Sequence, residues 1–372
     1  MENIYRKNLQ RMEPYVPGRP IESVMREYGL THVTKLASNE NPRGFSPMVP
    51  DAVMRSLSSS HIYPDGYYTE LRAAVSGFYN VNPKRLVFGC GSDDVIYMLG
   101  KILIEPGDEC ITGQVTFSPY AASVDSMDGV TVRVPMKDHS FDLEAIAARV
   151  TNRTKLIFIA NPNNPTGTYI SASQQADFLE RIPQSVTVVI DEAYRDFADT
   201  PDFPDTWEAI NRYDNVVLLK TFSKVYGLAS FRVGFGVMSE EMAVQMEKVR
   251  MPFNVTTQGQ AAAIAALNDT DYVEESRKLN LDMRKWTVEA LEGMGFSVIP
   301  SQANFVTVDM RRDCTEVFKA LMAKGYIVRP VKGFWIPCGD GSENTMKNFI
   351  RVTVGTREQM ERFMGAFKSL YA

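Results

Sequence analysis

Cysteine and histidine are scarce in this 372-residue chain, and their scarcity excludes several kinds of site. The four cysteines lie far apart and form no Cys-x-x-Cys pair, so the sequence predicts neither a zinc knuckle nor a disulfide framework. The histidines, His32, His61 and His139, are isolated, which leaves a metal centre without ligands and a histidine-based triad without its base. We expect a reducing, cytoplasmic location and a site without metal.

Long apolar runs and basic runs are also missing. No apolar stretch approaches the roughly 20 residues that a bilayer-spanning helix needs, and the N-terminal stretch MENIYRKNLQRMEPY contains no apolar signal segment. The formal net charge is -5, and no basic face is concentrated enough to bind a phosphate backbone. We therefore expect small molecules as partners, with no nucleic acid and no membrane.

What the chain does contain is an alternation of short apolar runs with amphipathic stretches, between about residues 86 and 237. Runs rich in valine and isoleucine between helical patterns predict an α/β domain whose sheet is mostly parallel and flanked by helices. Helical patterns then dominate from about 258 to 292, and shorter strands with a closing helix follow. This second pattern predicts a smaller α+β domain.

Two loops that follow predicted strands offer groups for a ligand. In GCGSDD, residues 89–94, glycines, free N–H groups and Ser92 suit a phosphate, although Ser92 or Asp93 acting only as a helix cap is the alternative. In NPNNPTG, residues 161–167, two prolines stiffen the loop and hold the Asn164 amide where a ring oxygen could accept a hydrogen bond. The alternative there is an ordinary Asn-Pro turn.

Two further loops contribute an acid and an amine. Asp191 directly follows the apolar run VTVVI and could pair with a protonated heteroaromatic nitrogen, or cap a helix, and Tyr194 lies one predicted helical turn later. The segment TFSKVYG, residues 221–227, places Lys224 at a strand end, where a shielded amine can form an imine with an aldehyde. The alternative is a solvated charge, the usual state of lysine on a loop.

One ligand would account for all four loops. Beside Lys224, Thr221 and Ser223 offer hydroxyl groups and Arg232 offers a planar guanidinium, and both kinds of group suit a phosphate. Pyridoxal 5′-phosphate combines an aldehyde, a ring nitrogen and a phosphate, and its enzymes use a lysine together with an acidic partner for the ring nitrogen. The residues themselves therefore indicate this cofactor.

The order of these motifs along nearly the whole chain resembles fold-type I pyridoxal-phosphate aminotransferases of class I and II, and within them the histidinol-phosphate aminotransferases. The resemblance is carried by RMEPYVPGRPIESVMREYGL, KLASNENPRG, YPDGY, GSDD, TFSPY, NPNNPTGTY, DEAYRDF, KTFSKVYGLASFRVGFG, PFNV and IRVTVGT. It implies an N-terminal arm over residues 1–40 that packs on the small domain and a partner subunit. It also implies a large cofactor-binding domain over 41–260 and a small domain over 261–372.

The resemblance also implies catalytic and cofactor-binding roles. Lys224, Asp191 and Tyr194 would be catalytic: Lys224 would form a Schiff base with the cofactor, Asp191 would pair with its ring nitrogen, and Tyr194 would contact its phenolic oxygen. The remaining cofactor contacts would be Asn164 at the phenolic oxygen, Phe117 on the ring face, Ser92, Asp93, Thr221, Ser223 and Arg232 around the phosphate, and Tyr63 reaching the phosphate from a second subunit.

The substrate side follows from the same resemblance. Arg351 would grip the substrate carboxylate or the equivalent polar head, Tyr15 and Arg329 would bind a distal phosphate, and Asn39 would contact the substrate. The implied reaction is ping-pong transamination between histidinol phosphate and 2-oxoglutarate in a homodimer with shared sites. An aromatic amino-acid aminotransferase and a decarboxylase of a phosphorylated amino acid remain alternatives, and the segment 333–348 is expected to form a mobile loop with an exposed tip.

Overall fold

The computed structural model describes residues 4–339 and 341–371. Its strands are β1 (Thr34–Lys35), β2 (Leu86–Cys90), β3 (Glu109–Gly113), β4 (Val130–Val134), β5 (Thr154–Ala160), β6 (Thr187–Asp191), β7 (Val216–Thr221), β8 (Val233–Val237), β9 (Val298–Ile299), β10 (Phe305–Asp309), β11 (Tyr326–Ile327), β12 (Arg329–Pro330) and β13 (Phe349–Thr353). Its α-helices are α1 (Ile21–Tyr28), α2 (Met48–Ser56), α3 (Thr69–Tyr79), α4 (Ser92–Leu103), α5 (Pro119–Asp125), α6 (Leu143–Ala148), α7 (Ala172–Arg181), α8 (Thr206–Arg212), α9 (Glu240–Val249), α10 (Thr257–Leu267), α11 (Thr270–Glu292), α12 (Cys314–Ala323) and α13 (Arg357–Lys368).

Strands β2 to β8 form one seven-stranded sheet, in the order β2-β8-β7-β6-β5-β3-β4. Among these strands, β8 alone runs antiparallel to its neighbours, and the other pairs are parallel. The central strands β5, β6 and β7 are almost wholly buried, because helices cover both faces of the sheet. This burial explains their continuous apolar runs in the sequence and confirms the predicted α/β domain with a mostly parallel, mixed sheet.

The small domain has its own antiparallel sheet, in the order β12-β13-β10-β9. A second apolar core, which includes Val306, Leu321, Ile350 and Phe363, joins this sheet to α12 and α13. The predicted smaller α+β domain is therefore confirmed.

The proposed boundary between residues 260 and 261 falls inside α10. Ala262, Ala263 and Ala266 of that helix are buried in the core of the large domain. Met283 and Leu291 of the following helix, α11, belong to the core of the small domain. The packing therefore changes from one core to the other between α10 and α11, and the division at 260 stays a proposal.

The N-terminal segment contacts both domains. Val24 of α1 and Val33 pack with Met322 and Ile327 of the small domain, and β1 pairs in parallel with β11. Closer to the N-terminus, Asn8 Nδ2 donates a hydrogen bond to a carbonyl oxygen of α5 in the large domain, at 2.7 Å. The predicted contact of this arm with a partner subunit stays a prediction. Along the described ranges, none of the helices combines the length and apolar character that crossing a bilayer requires.

Candidate active site

A cavity of about 270 Å³ lies where the carboxyl ends of β5, β6 and β7 face the small domain. Such strand ends are the common ligand-binding edge of open α/β sheets. The predicted site residues that line the cavity are Tyr15, Asn39, Ser92, Asp93, Phe117, Asn164, Asp191, Tyr194, Thr221, Ser223, Lys224, Arg232, Arg329 and Arg351. Residues from distant parts of the chain thus meet in one place.

The cavity has two walls. The small-domain wall consists of Arg329, Phe334 and Arg351. The large-domain wall includes Ser92, Asp93, Phe117, Tyr120, Asn164, Asp191, Tyr194, Thr221, Ser223, Lys224 and Arg232. The N-terminal segment contributes Tyr15, Gly18, Ala37, Ser38, Asn39 and Glu40 to the lining.

Asp191 is the last residue of β6 and is 4% exposed. Its Oδ2 accepts a hydrogen bond from the Tyr120 hydroxyl at 2.7 Å, and its Oδ1 accepts one from the Ala193 N–H at 3.0 Å. Burial raises the pKa of this carboxyl to about 6. No lysine or arginine of the described ranges forms an ion pair with it. The carboxylate is therefore suited to a ligand that brings its own positive charge.

The sequence reasoning missed Tyr120. Tyr120 lines the cavity and is 1% exposed, and burial together with the neighbouring Asp191 carboxylate raises its pKa, so its hydroxyl acts as a neutral hydrogen-bond donor. The residue belongs to the motif TFSPY, in which Phe117 alone is predicted to contact the cofactor. Phe117 packs edge-on against Tyr120, with ring centroids 5.6 Å apart, and lines the cavity.

Lys224 lies in the turn that follows β7 and is only partly exposed. Its Nζ donates a hydrogen bond to the carbonyl oxygen of Ser38 at 3.1 Å and lies 5.5 Å from the centroid of the Tyr194 ring. The amine therefore points into the cavity, between the N-terminal segment and the large-domain wall.

The N-terminus of α4 forms an anion-binding end of the cavity. Gly91 has a left-handed φ of 77°, and a Cβ atom there would collide with the Arg232 guanidinium. A Cβ at Gly234 of the adjacent strand β8 would collide with the Ser92 nitrogen. These two glycines allow the guanidinium and the helix N–H groups to converge on one point, and such groups bind phosphate. Arg232 also forms an ion pair with Asp93 at 3.2 Å.

Hydroxyl groups from the turn after β7 adjoin this end of the cavity. Ser223 Oγ lies 3.5 Å from Arg232 Nη1, and the Thr221 hydroxyl accepts a hydrogen bond from the Ser223 N–H at 3.1 Å. Both side chains are almost completely buried, which restricts their conformations. This part of the wall offers two hydroxyl groups and one cation to a ligand phosphate.

The helical turn expected from Asp191 to Tyr194 is wrong. The Asp191 carboxylate accepts a hydrogen bond from the Ala193 N–H, and this contact forms a side-chain-to-backbone turn. A short 3₁₀ turn, Arg195–Phe197, then follows. Tyr194 nevertheless reaches the cavity. Its hydroxyl accepts a hydrogen bond from Asn39 Nδ2 at 2.9 Å.

Arg351 on β13 is the buried cation of the small-domain wall. Its two Nη atoms donate to Asn164 Oδ1 and to the carbonyl oxygen of Ala37, and its Nε has no partner within residues 4–339 and 341–371. Burial lowers its pKa to about 10, so the guanidinium remains charged at neutral pH. An anion bound in the cavity would compensate the buried positive charge of Arg351, which is shielded from solvent.

Arg329 lies opposite Arg351 in the register of β12 and β13. Its Nη2 donates to the Val16 carbonyl oxygen at 3.1 Å, which ties the N-terminal segment to the cavity. The ring of Phe334 lies 5.4 Å from the Arg329 guanidinium carbon and 5.7 Å from that of Arg351. Phe334, in the 3₁₀ turn that opens the 333–348 segment, is thus a further cavity residue on this wall.

Two predicted residues are exposed. Tyr15 is 64% exposed at the rim of the cavity, whereas Tyr63 is 78% exposed, stacks on Phe253 at 4.6 Å between ring centroids, and does not line the cavity. One chain therefore does not bring Tyr63 to the other site residues. No cluster of three or more potential metal ligands occurs in the described part of the chain.

Comparisons with known proteins identify the family. The model of the family described as aminotransferase class I and II matches residues 31–367. A histidinol-phosphate aminotransferase from Caldicellulosiruptor saccharolyticus is 39% identical over 99% of this chain and 100% of the relative. Histidinol-phosphate aminotransferase 2 from Carboxydothermus hydrogenoformans is 42% identical over 98% of each chain.

Solved structures show the same relationship. The crystal structure of histidinol-phosphate aminotransferase from Sinorhizobium meliloti in complex with pyridoxal-5′-phosphate aligns with a TM-score of 0.88 and 26% identity, over 100% of this chain and 99% of the other. The cavity described above thus lies in a fold shared over the full chain length. The chain belongs to the class I and II aminotransferase family.

Proposed function

We propose that this protein is a pyridoxal 5′-phosphate-dependent aminotransferase that transfers the amino group of histidinol phosphate to 2-oxoglutarate, with imidazole acetol phosphate and glutamate as products. The observation that carries the proposal is the pair of full-length relatives, 39% and 42% identical, that bear the name of this activity. Two arginines on one cavity wall, Arg329 and Arg351, supply the cations that a phosphorylated donor and a dicarboxylic acceptor both need.

The large-domain wall fits the cofactor. The uncompensated carboxylate of Asp191 suits a cationic ring nitrogen, and the glycine-flanked N-terminus of α4 with Arg232 suits the phosphate. Lys224 Nζ lies between these two ends, within the cavity. When bound, the cofactor supplies an electron sink for the bonds at the substrate Cα.

The residues of this wall divide the work. Lys224 would hold the cofactor at its aldehyde carbon, and its Nζ, once freed by the amino substrate, would take up and return the proton at the substrate Cα. Asp191 keeps the ring nitrogen protonated, and Tyr120 keeps Asp191 oriented. Tyr194 and Asn164 donate to the phenolic oxygen.

The remaining contacts fix the cofactor in place. Phe117 covers the ring face. The phosphate would be bound by the side chains of Ser92, Thr221, Ser223 and Arg232 and by the backbone N–H groups around Ser92 and Asp93 at the N-terminus of α4. We also propose that Tyr63 of a second subunit reaches the phosphate, which makes the enzyme a homodimer with shared sites; the exposure of Tyr63 in one chain supports this arrangement. The cytoplasmic location is part of the same proposal.

The substrate-side residues serve both half-reactions. Arg351 binds the carboxylate of the keto acid or the polar head of the donor, while Arg329 and Tyr15 bind the distal phosphate and Asn39 borders the substrate. Because donor and acceptor occupy one cavity in turn, the kinetics are ping-pong.

A donor comparison tests the proposal. The holoenzyme is assayed with 2-oxoglutarate and histidinol phosphate, histidinol, phenylalanine or tyrosine, and we expect the highest kcat/KM for histidinol phosphate. A kcat/KM more than about tenfold higher for phenylalanine or tyrosine would make the protein an aromatic amino-acid aminotransferase. Release of carbon dioxide without a keto product would make it a decarboxylase.

A further inference from the structure

Asn39 links the two walls of the cavity. It is 1% exposed and adopts a left-handed backbone conformation with φ of 58°, which asparagine tolerates better than most residues. Its side-chain Nδ2 donates to the Tyr194 hydroxyl at 2.9 Å. Any group that fixes the Asn39 amide therefore also fixes the hydrogen bonding of Tyr194.

Thr353 is that group. It ends β13, two residues after Arg351 and on the same face of the strand. Its Oγ1 accepts a hydrogen bond from the Asn39 N–H at 3.0 Å and donates its proton to Asn39 Oδ1 at 3.1 Å. Asn304 Nδ2 completes the arrangement by donating to the Asn39 carbonyl oxygen at 3.0 Å.

The threonine proton decides which way the amide faces. Thr353 is 3% exposed, and its hydroxyl donates its proton to Asn39 Oδ1, the acceptor that the described ranges provide for it. If the amide were reversed, the buried threonine proton would lose its acceptor, which is unfavourable. The reversed amide would also present Oδ1 to Tyr194 and accept the phenolic proton. In the observed orientation Tyr194 accepts a hydrogen bond and keeps its own proton.

We propose that Thr353 is a positioning residue for transamination: its hydroxyl orients the Asn39 amide so that the proton of Tyr194 stays available to the phenolic oxygen of the cofactor. The inference rests on the proposed function. It connects the strand that carries Arg351, on the substrate side, with a hydrogen bond on the cofactor side.

The test uses the absorbance of the holoenzyme as a function of pH. We expect Thr353→Val, which keeps the shape and removes the hydroxyl, to raise the pH midpoint of the visible absorbance change by about 0.5–1 unit. The reason is that a phenolic oxygen with one donor fewer holds a neighbouring proton more tightly. Thr353→Ser retains the hydroxyl and should keep the parent midpoint, and Thr353→Ala should match the valine variant.

The decisive step is the same comparison in a Tyr194→Phe background. If Thr353 acts through Tyr194, Thr353→Val adds no further shift of the pH midpoint in the Tyr194→Phe background. In the protein that retains Tyr194, Thr353→Val lowers kcat while the donor KM stays close to that of the parent. Three outcomes would overturn the inference. The first is a midpoint shift of equal size in both backgrounds, and the second is an unchanged midpoint in both Thr353→Val and Thr353→Ala. The third is a Thr353→Ser variant that behaves like Thr353→Val. A parent protein without any cofactor absorbance would instead overturn the proposed function.

Discussion

The two walls of the cavity are built in different ways. In the large-domain wall, Asp191 ends β6, Thr221 ends β7 and Ser92 begins α4, and all three are less than a tenth exposed. In the small-domain wall, Arg329 lies on a strand of two residues and is only partly buried, and Phe334 lies in a 3₁₀ turn. The large-domain wall is positioned by the seven-stranded sheet. The outer part of the small-domain wall, Arg329 and Phe334, is positioned by short elements and contacts with the N-terminal segment, whereas Arg351 lies buried on β13.

The difference separates chemistry from recognition. A buried sheet edge holds groups with little freedom, which a reaction needs at the atoms where bonds change. Short elements tolerate change in sequence and conformation, which suits the recognition of a particular substrate. Mutations in the large-domain wall should therefore affect every substrate, and mutations in the outer part of the small-domain wall should affect only some.

The largest effect is expected from Lys224→Ala. Without the amine, both the covalent attachment and the proton transfer at Cα that we propose for Lys224 would be lost, so kcat/KM should fall by at least about 10³-fold for every donor. The visible absorbance band of the holoenzyme should disappear with the activity. Lys224→Arg keeps a positive charge without the nucleophile and should be equally inactive. An alanine variant that transaminates like the parent would remove Lys224 from the mechanism.

Arg351→Lys tests the buried cation of the other wall. A single ammonium cannot replace a guanidinium that already donates to Asn164 and Ala37 and still has N–H groups for a ligand, so kcat/KM should fall about 10²-fold. The loss should be similar for donor and 2-oxoglutarate, because the proposed function has both bind this cation, and the cofactor absorbance should be unchanged.

Arg357→Lys is a matched control for that experiment. Arg357 is an exposed cation on α13, paired with Glu361, and its replacement should leave kcat/KM within about twofold of the parent. Loss of the cofactor band in Arg351→Lys would contradict the separation of the walls, since it would show that Arg351 supports the large-domain wall through Asn164.

Asp191→Asn should change the pH dependence of folding in the cofactor-free protein. Burial raises the pKa of Asp191 from 3.8 in the unfolded chain to about 6 in the folded one, so the native state favours the protonated acid. Its contribution to the free energy of unfolding is present below about pH 3.8 and is lost as the pH rises towards 6. Asparagine does not ionise, so the stability of the variant relative to the parent should increase by about 2 kcal/mol between pH 4 and pH 7.

Urea unfolding of both cofactor-free proteins measures this difference. Asp282→Asn, at an exposed position of α11, should show no such trend between the same pH values. A constant difference between Asp191→Asn and the parent at all pH values would mean that the carboxyl ionises as easily in the folded as in the unfolded chain. The cation of the bound cofactor should reduce the effect in the holoenzyme.

The contrast between the walls also explains which parts could be predicted from the sequence. Asp191 and Lys224 follow apolar strands directly, and the topology of a parallel sheet brings such strand ends together. Tyr120 contacts Asp191 across 71 residues, and Thr353 contacts Asn39 across 314. No local pattern encodes such contacts, because they arise only when segments that are distant in the sequence pack together.

The fold shows the same limit. The seven-stranded sheet follows from apolar runs, whereas the boundary between the domains depends on which core buries α10, and an alanine-rich helix carries little local information about its packing partner. The prediction of a helical turn from Asp191 to Tyr194 is wrong for a local reason, because the Asp191 side chain accepts the hydrogen bond of a nearby backbone N–H.

The smallest and most selective effects are expected at the rim of the cavity, from Arg329→Gln and Tyr15→Phe. Arg329 is partly exposed to solvent, so its contact with a phosphate should contribute at the low end for a charged hydrogen bond, and kcat/KM for histidinol phosphate should fall about tenfold. For an unphosphorylated donor such as histidinol, kcat/KM should stay within about twofold. Tyr15→Phe removes only a hydroxyl from the same rim and should give a smaller loss with the same selectivity. Equal losses for both donors would mean that Arg329 acts by holding the N-terminal segment through Val16 rather than by binding phosphate, and the two walls would then differ in construction without differing in role.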